Sequence, residues 1–468
     1  MGILNKEEIQ NFAPDKLSHD PEASLRHSCN CMKDTDNWSP NQQMGRRWIL
    51  GCVALEITQR CNLDCSLCYL SEHSEAIRDI PIEELFRRID LIHQHYGAYT
   101  NVQVTGGDPT LRQQDELIAI VKYIHSLGMH ATLMTNGIKA TRELLTELSN
   151  VGLVDVAFHV DTTQKIKGYD NEVALNSLRE KYIDRARGLG LSIMFNTTVH
   201  RANFYEIPEL VRFFRKHADV IRLVSFQLQA ETGRGVEGKR PLLITPDTVW
   251  KQLETGAGTT LNSKAIRAGH TECNRYAIGL RLGDEMQDLL EDTETIGKLL
   301  EYFQTIKVNR RYKFRSLLIC SAHALKKPVA ATLFIKWMFH QIWIRKRLIL
   351  RSKGKINTMS FFMHNFMDDS ALDSERITAC AFKVMTEQGP MSMCLYNAKR
   401  DNYLLQPTRI KTEQGISFWQ PLTGAITDKL KTVEEIVTPI KHPIKNLKGK
   451  SRQRALAIKQ TASSRQIA

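Results

Sequence analysis

The chain has 468 residues, of which 42% are hydrophobic and 25% charged, and its formal net charge is +13. This balance is typical of a globular protein with ample length for a core, and the length suggests two or three domains. No run of about 18 uninterrupted apolar residues occurs, and residues 1–22 are polar and acidic, so neither a transmembrane helix nor a signal peptide is predicted. Ten cysteines in such a chain indicate reduced thiols or metal ligands rather than disulfides, and we expect a cytoplasmic protein.

Residues 1–47 are polar and show no clear periodicity, and we interpret them as an irregular N-terminal arm. Cys29 and Cys31 lie near His27 in this arm, and such a group could bind a metal ion. No second pair of ligands follows closely in the sequence. Ordinary free thiols are therefore the favoured interpretation.

Between residues 48 and 230, short apolar runs alternate with amphipathic stretches. Six strands are predicted, at 53–58, 102–105, 131–135, 153–160, 191–199 and 220–228, with helices at 81–96, 114–127, 142–148, 172–188 and 206–216. Strands that alternate with helices predict a parallel sheet with right-handed crossovers. The predicted fold class is α/β, with residues 48–230 forming a partial (β/α)6 TIM-like barrel and residues 231–410 a C-terminal α+β region that would hold the substrate.

Polar residues and glycines follow the predicted strands at the same end of each unit. The carboxyl ends of parallel strands meet at one edge, where the chemistry of such barrels lies. The candidate residues there are Cys61, Cys65 and Cys68 after the first strand, Gly106, Gly107, Asp108 and Pro109 after the second, Thr135 and Asn136 after the third, Asp161 after the fourth, and Asn196 on the fifth.

The loop after the first strand has three cysteines in eight residues, spaced C-x3-C-x2-C. Thiolates are soft ligands that suit iron–sulfur clusters and zinc. A structural zinc site normally has four protein ligands, whereas three thiolates leave one iron of a four-iron cluster open to a small molecule. The spacing therefore favours an open, reactive cluster.

Residues 231–410 contain four further cysteines, Cys273, Cys320, Cys380 and Cys394. Gly389-Pro390 marks a turn, so the last two cysteines bracket a predicted hairpin. Residues 328–351 are predicted to form a helix in which tryptophan and phenylalanine alternate with lysine and arginine. It is either an interfacial helix at a membrane surface or a buried helix with a solvated basic end. We favour burial, because apolar residues occupy most of the helix circumference.

Residues 411–468 form a basic C-terminal tail with no acidic residue after Glu435. The cations after Glu435 are Lys441, Lys445, Lys448, Lys450, Arg452, Arg454, Lys459 and Arg465. A disordered, solvated tail is the favoured interpretation. Binding to nucleic acid or to an anionic membrane surface is the alternative.

The chain resembles radical SAM enzymes over residues 50–230, because the cysteine triad and the Gly106-Gly107-Asp108-Pro109 turn occur in the family's order on the expected elements. The resemblance implies that Cys61, Cys65 and Cys68 bind a [4Fe–4S] cluster whose open iron is chelated by S-adenosylmethionine (SAM). It also implies cleavage of SAM to a 5′-deoxyadenosyl radical that abstracts hydrogen from an unactivated C–H position. An electron donor such as flavodoxin or ferredoxin is implied as a partner.

The resemblance also suggests which residues bind SAM. The glycine turn and Pro109 would receive its methionine end, with Asp108 accepting from the ammonium group. Thr135, Asn136, Asp161 and Asn196 would bind the rest of the molecule. For Asp161 and Asn196, a cap or Asx turn at a strand end is equally consistent with the sequence.

The C-terminal half resembles a narrower branch that includes tetraether lipid synthase and methyl-transferring relatives with additional clusters. The resemblance is carried by His270-x-x-Cys273-Asn274, the segment His364–Asp368, Cys380 and Cys394-x-x-Asn397. It implies an auxiliary iron–sulfur cluster bound by Cys273, Cys380 and Cys394. Cys320 would complete a set of four thiolates, or it is a small buried apolar residue.

The predicted function is that of a radical SAM oxidoreductase or transferase acting on a lipid or a small cofactor, with peripheral contact at the inner membrane face as one possibility. A ribosomal-peptide maturase is the first alternative. The second is a nucleic-acid-associated iron–sulfur protein without radical chemistry. We do not favour the latter, since it leaves the strand-end glycines and polar residues unexplained.

Overall fold

The computed structural model describes residues 2–307, 313–412, 415–428 and 447–467. Its strands are β1 (Ile3–Leu4), β2 (Cys52–Thr58), β3 (Asn101–Gly106), β4 (His130–Thr135), β5 (Asp155–His159), β6 (Ser192–Val199), β7 (Ile221–Leu228), β8 (Asn274–Leu282), β9 (Glu285–Asp288), β10 (Ile356–Asn365), β11 (Leu372–Asp373), β12 (Phe382–Met385), β13 (Pro390–Ser392), β14 (Thr408–Thr412), β15 (Gly415–Trp419) and β16 (Ile426–Thr427).

The helices are α1 (Lys6–Asn11), α2 (Pro21–Asp34), α3 (Ile82–Tyr96), α4 (Gln114–Ser126), α5 (Arg142–Asn150), α6 (Asn176–Ala186), α7 (Ile207–Lys216), α8 (Pro246–Ala257), α9 (Thr293–Tyr302), α10 (Lys313–Lys326), α11 (Pro328–Arg351), α12 (Ser374–Thr378), α13 (Met393–Ala398), α14 (Asp401–Leu404) and α15 (Gly449–Ile467). None of the helices in the described ranges has the length and hydrophobicity that a membrane crossing needs.

The central sheet has eleven strands in the order β13-β12-β2-β3-β4-β5-β6-β7-β10-β8-β9. Strands β2 to β7 are parallel neighbours with helices between them, which confirms the predicted α/β class. The bounds of these strands follow the sequence prediction closely. The largest difference is at β5, predicted at 153–160 and observed at Asp155–His159.

The apolar pattern of the sequence explains the core. Every residue of β2 is buried, as expected for a parallel strand covered on both faces. Helix α3 buries Leu85, Ile89 and Ile92 along one stripe and ends at Gly97, whose φ of +78° suits a residue without a Cβ.

Both edges of the sheet are extended by strands from the C-terminal half. Strand β10 pairs in parallel with β7, and β8 adds antiparallel to β10. At the other edge, β12 pairs in parallel with β2 and forms a hairpin with β13. The hairpin predicted between Cys380 and Cys394 is thus present, whereas the boundary placed at residue 230 divides one continuous sheet.

The N-terminal arm is not irregular. Strand β1 pairs with β11, and the 14-residue helix α2 begins at Pro21 after Asp20, whose side chain accepts a hydrogen bond from the Glu22 N–H. An Asp-Pro pair is a recognised start signal for a helix. The polar composition of the segment hides this signal, because it gives no clear apolar periodicity. Of the three possible ligands in the arm, Cys31 and His27 contact each other, with 3.6 Å between Sγ and Nε2.

Helix α11 has the predicted bounds, but the favoured prediction of a buried helix is wrong. Its buried residues are Ala330, Gln341 and Arg345. The side chains of Phe339 and Trp343 are each 68% exposed. Helix α11 packs on its neighbours through one narrow face, which the apolar content of the sequence could not reveal.

The prediction of a disordered, solvated tail is also wrong where the structure describes this region. Strands β14 to β16 form a small antiparallel sheet, and residues 447–454 lie against the cysteine loop. Lys441 and Lys445 lie outside the described residues.

Candidate functional site

A cavity of about 220 Å³ lies where the parallel strands β2 to β7 end. Its lining from the sheet side includes Cys61, Cys65, Cys68, Gly106, Gly107, Thr135, Asn136, His159, Asn196 and Gln227. The C-terminal half supplies the opposite wall, including Phe366, Met367, Met393 and Arg400. The position is the one expected for the reactive end of a parallel α/β sheet.

The loop that carries the cysteine triad is held in place by distant parts of the chain. Ser66 donates its N–H to the Thr163 carbonyl at 2.8 Å, and the N–H of Gly235 donates to the Cys68 carbonyl at 3.0 Å. Burial raises the pKa of the Cys61 thiol, and burial together with the neighbouring Cys68 raises the pKa of Cys65 well above its usual value. A metal bound here would therefore displace protons from these thiols.

A single zinc ion and an iron–sulfur cluster place different demands on the cysteine triad. In the described ranges, no three His, Cys, Asp or Glu side chains lie close enough together to hold one metal ion. A single zinc ion would need thiolates at about 2.3 Å from one centre, whereas a cluster places iron and sulfide between its ligands. Three soft thiols from one loop, facing a common cavity, fit the cluster better than the single ion.

Arg234 lies beside the triad and supports an anionic group there. Its guanidinium is buried and donates to Ser74 Oγ and Glu75 Oε1, both at 2.9 Å. Burial lowers the pKa of Arg234, but Cys68 and Glu75 raise it, and the net pKa is above the usual value. Its Nε–H has no hydrogen-bond partner within the part of the chain that is described. A buried donor of this kind suits an additional acceptor at the loop.

Gly106 and Gly107 bring the turn after β3 against the start of the cysteine loop. A Cβ on Gly106 would lie 2.0 Å from the Thr58 carbonyl oxygen, and one on Gly107 would lie 1.9 Å from that of Arg60. The N–H groups of Gly107 and Asp108 donate to the same two carbonyls at 2.8 Å. The close approach predicted for these glycines is therefore made to the protein's own backbone.

Asp108 does not have the surroundings expected of a ligand for an ammonium group. Its carboxylate is 1% exposed, and neither it nor Pro109 is among the residues that line the cavity. Oδ1 accepts from Thr110 N–H at 3.0 Å, and Oδ2 accepts from Thr135 Oγ1 at 2.9 Å and from Asn136 N–H at 2.8 Å. In the structure, the Asp108 oxygens join two strand ends, and its contact with the ammonium group stays a prediction.

Thr135 and Asn136 both line the cavity, as the sequence suggested. The Asn136 side-chain amide donates to Asn62 Oδ1 at 2.6 Å, and its own oxygen accepts from Ile138 N–H at 3.0 Å. Asn62 belongs to the cysteine loop. The end of β4 therefore fixes the loop as well as the cavity wall.

Asp161 is fully buried and does not line the cavity, whereas His159 and Asn196 do. Asp161 Oδ2 lies 2.7 Å from His159 Nε2 and accepts from the Thr198 N–H at 2.7 Å. Burial alone would raise the pKa of Asp161, but His159 and the hydrogen bonds hold it below its usual range. Of the two sequence interpretations, the structure supports a strand-end anchor for Asp161.

His159 is a lining residue that the sequence prediction did not select. Ala157 and His159 both face the cavity, as alternate residues of one strand must. This period of two was the available signal. It would have separated His159 from Asp161, which comes two residues later but after the strand has ended.

Glu56 and Arg400 form a buried ion pair at the cavity wall. Arg400 Nη1 lies 2.5 Å from Glu56 Oε1, and the Tyr396 hydroxyl donates to Glu56 Oε2 at 3.0 Å. The Arg400 guanidinium lies over the rings of Tyr69 and Tyr396, at 4.8 and 4.6 Å from their centroids. Because Arg400 comes from the C-terminal half, this pair links that half to the first strand of the sheet.

Three of the four later cysteines lie together. Burial raises the pKa of Cys394 to about 12, and the neighbouring Cys380 and Cys273 add to the shift. Burial raises the pKa of Cys273 to about 11 against the opposing effect of Arg376, whose Nε donates to Cys273 Sγ at 3.2 Å. Cys394 lies next to Met367, which also lines the cavity.

Cys320 does not join this group, which corrects the predicted set of four. It lies on α10, where its charged neighbour is Arg47. Cys320 is not among the charged neighbours of Cys273 or Cys394. A count of the cysteines in the C-terminal half cannot reveal this, because it carries no information on position.

Residues 447–454 form a strap over the cysteine loop. Lys448 Nζ donates to the Cys61 carbonyl and pairs with Glu75 at 3.1 Å, and the Gly449 N–H donates to Asp64 Oδ1 at 2.9 Å. Gly449 has a φ of +54°, and a Cβ there would lie 2.1 Å from the Arg234 carbonyl oxygen. The strap therefore fits the loop closely at one glycine.

We predict that Gly449→Val opens the strap, because the added side chain cannot occupy this position. Alkylation of Cys61 by iodoacetamide in the metal-free protein, followed by peptide mass spectrometry, should become several-fold faster than in the wild type. Ile458→Ser is the matched control, since Ile458 lies on the same helix and is exposed. Equal alkylation rates in the wild type and Gly449→Val would contradict a closed strap.

A second prediction concerns the His159–Asp161 pair. Burial lowers the pKa of His159, but Asp161 raises it above its usual value of 6.5, so the charged imidazole contributes stability below about pH 6.5. That contribution is lost as the pH rises through the raised pKa. Asp161→Asn should therefore lower the melting temperature more at about pH 6 than at about pH 9. Thermal unfolding at both pH values tests this, and a difference that grows with pH would contradict it.

Comparison with known proteins finds similarity over the part of the chain that carries the cysteine triad. The family model described as the radical SAM superfamily matches residues 55–214. The chain is 26% identical over 186 residues to the 7,8-dihydro-6-hydroxymethylpterin dimethyltransferase of Methanocaldococcus jannaschii, covering 38% of this chain and 36% of that one. It is 27% identical over 166 residues to the PqqA peptide cyclase of Bradyrhizobium diazoefficiens, covering 34% and 42%.

Among solved structures, SuiB of Streptococcus suis bound to the precursor peptide SuiA matches with a TM-score of 0.34 and 16% identity, covering 46% of each chain. The chain thus matches about a third to a half of the length of these proteins. The family-model match covers the cysteine loop and strands β3 to β6, whose ends line part of the cavity. Residues 55–214 form a radical SAM domain.

Proposed function

We propose that the protein is a radical SAM enzyme in which Cys61, Cys65 and Cys68 bind a [4Fe–4S] cluster and the adjoining cavity binds SAM. The observation that carries this proposal is the convergence of three thiols from one loop and a double-glycine turn on one cavity at the strand ends. When bound, the cluster supplies the electron that cleaves the sulfonium of SAM. An external donor such as a flavodoxin or a ferredoxin would reduce it.

The residues of the chain have positioning roles in this proposal. Thr135, Asn136 and Asn196 offer polar side chains to SAM, and His159 offers an imidazole on the same wall. Gly106 and Gly107 keep the turn close to the cysteine loop. Asp108 acts through Thr135 and Asn136, whose positions it fixes, rather than by touching SAM.

The opposite wall is the candidate substrate side. Phe366, Met367 and Met393 make it apolar, and Arg400 adds one cation held by Glu56. We infer a substrate with an apolar body and an anionic or polar group, such as a lipid or a small cofactor, from which hydrogen is abstracted at an unactivated C–H position. The sequence resembles a branch that includes methyl-transferring enzymes and tetraether lipid synthase. Similarity to a pterin dimethyltransferase supports an activity like that of the methyl-transferring enzymes, and supports an activity like that of the lipid synthase less.

A second candidate function is peptide maturation, which is supported by similarity to a PqqA peptide cyclase. A role with nucleic acid has less support. The strap cations Lys448, Arg452 and Arg454 pair with Glu75, Asp64 and Glu72 of the protein itself. Less of the basic charge of the tail is then available for an external polyanion.

We also propose that Cys273, Cys380 and Cys394 bind an auxiliary iron–sulfur cluster. They are three buried or half-buried thiols that neighbour one another, and Arg376 provides a compensating positive charge. Met367 lies between this group and the cavity. The auxiliary cluster would therefore lie next to the substrate wall.

The first test of the function is SAM cleavage. Replacement of Cys61, Cys65 and Cys68 together by alanine should reduce dithionite-dependent release of 5′-deoxyadenosine to background, because the cluster loses its ligands. Cys29→Ala is the control, since Cys29 lies on α2 outside the cavity. Cleavage that survives in the triple variant would eliminate the proposal.

The second test separates the two groups of cysteines by iron content. Replacement of Cys273, Cys380 and Cys394 by alanine should remove about half of the iron and sulfide of the reconstituted protein, as expected for one cluster of two. Cys320→Ala should leave both unchanged, because Cys320 lies on α10 beside Arg47. A loss of iron in Cys320→Ala, or none in the triple variant, would contradict the auxiliary site.

A further inference from the structure

Helix α11 contacts the protein through a mixed face, on which Leu333 and Trp337 pack against a buried apolar cluster and polar side chains follow one and two turns later. Gln341 and Arg345 are buried one turn apart. Arg345 Nη2 donates to the Asp288 carbonyl at 2.6 Å and pairs with Glu291 at 3.4 Å. The helix is therefore anchored to the end of β9 by hydrogen bonds and charge.

The opposite face of α11 is apolar and exposed. Ile335, Met338, Phe339, Ile342 and Trp343 follow the spacing i, i+3, i+4, i+7 and i+8, so they form one stripe. All five are large and all five are exposed. Leu318 and Leu325 of the preceding helix α10 are exposed as well. We call the stripe on α11 the outer face.

This arrangement leaves large apolar side chains of α11 in contact with water, although other apolar residues of the same helix are packed inward. Removing apolar surface from water is favourable, so covering the stripe would stabilise the protein. Isolated exposed apolar residues need no explanation, but a contiguous stripe indicates an interaction surface. We therefore interpret the outer face as an interaction surface.

The charge around the outer face identifies the kind of partner. Residues 302–367 contain no aspartate or glutamate. The exposed cations on α10 and α11 include Lys326, Lys336, Lys346, Arg347 and Arg351. Lys346 Nζ lies 3.5 Å from the centroid of the Trp343 ring. Aromatic and aliphatic side chains interleaved with lysine and arginine suit the boundary between lipid headgroups and acyl chains.

We propose that the outer face docks on the surface of an anionic lipid bilayer. The stripe would enter the acyl boundary, and the flanking cations would meet the lipid phosphates. A second copy of the chain is the less suitable occupant, because pairing of identical faces would bring like charges together without an acidic partner in residues 302–367. The inference does not depend on radical chemistry, since it concerns a surface on the far side of β8 and β9 from the first strands of the sheet.

Co-sedimentation of the full-length protein with vesicles tests the proposal. The wild type should bind vesicles of phosphatidylcholine containing about a third phosphatidylglycerol, and should bind pure phosphatidylcholine and high-salt samples much more weakly. Combined Phe339→Ser, Ile342→Ser and Trp343→Ser should lower the partition coefficient at least about tenfold. Combined Lys346→Glu and Arg347→Glu should lower it by a similar factor on the anionic vesicles alone.

The matched control is the combined change Tyr205→Ser and Leu242→Ser, which removes exposed apolar side chains elsewhere and should leave vesicle binding unchanged. Circular dichroism should show the same folded content in every variant, because the replaced side chains are exposed. Failure of the wild type to bind anionic vesicles, or full binding by the triple serine variant, overturns the proposal. It is also overturned if sedimentation velocity shows a dimer that the triple serine variant dissociates.

Discussion

The buried carboxylate of Asp108 is the contact on which the candidate site depends. It accepts hydrogen bonds from Thr110, Thr135 and the Asn136 N–H, and Asn136 in turn donates to Asn62 in the cysteine loop. One charged group out of water thus fixes the ends of two strands and, through one amide, the loop that carries the thiols. A buried carboxylate is stable only when it is fully hydrogen-bonded, so the same bonds that stabilise it determine the shape of the cavity.

The cysteine loop is also fixed by residues far away in the sequence. The Thr163 carbonyl accepts from the loop, and the N–H groups of Gly235 and Gly449 donate to it. Arg234 lies buried beside Cys68. The opposite wall comes from the C-terminal half, where Arg400 is joined to Glu56 of the first strand. The cavity is therefore assembled from most of the chain, although the matched domain ends at residue 214.

The sequence predicted the local part of this structure well. Strands β2 to β7 followed from apolar runs and from glycine and proline at their ends, because those signals act within a few residues. Most predicted candidates are polar residues at or just after a predicted strand end. The fifth strand of the structure is predicted to run to residue 160 but ends at His159, so the prediction selects Asp161 and misses His159. The exposed face of α11, the position of Cys320 and the course of residues 447–454 depend on contacts distant in the sequence, from 50 residues for Gln341 on α11 to 387 for Lys448, and no local pattern encodes such contacts.

The strap has a consequence for the order in which the site is built. Lys448 and Cys61, which the strap brings together, are 387 positions apart, so the ribosome makes the cysteine loop long before the residues that cover it. At synthesis rates of roughly 5–20 residues per second, that gap lasts on the order of tens of seconds. During this interval the three thiols are not yet covered. Iron and sulfide can therefore reach the thiols on the nascent chain. Residues 447–454 then cover the cysteine loop after any metal group has bound there.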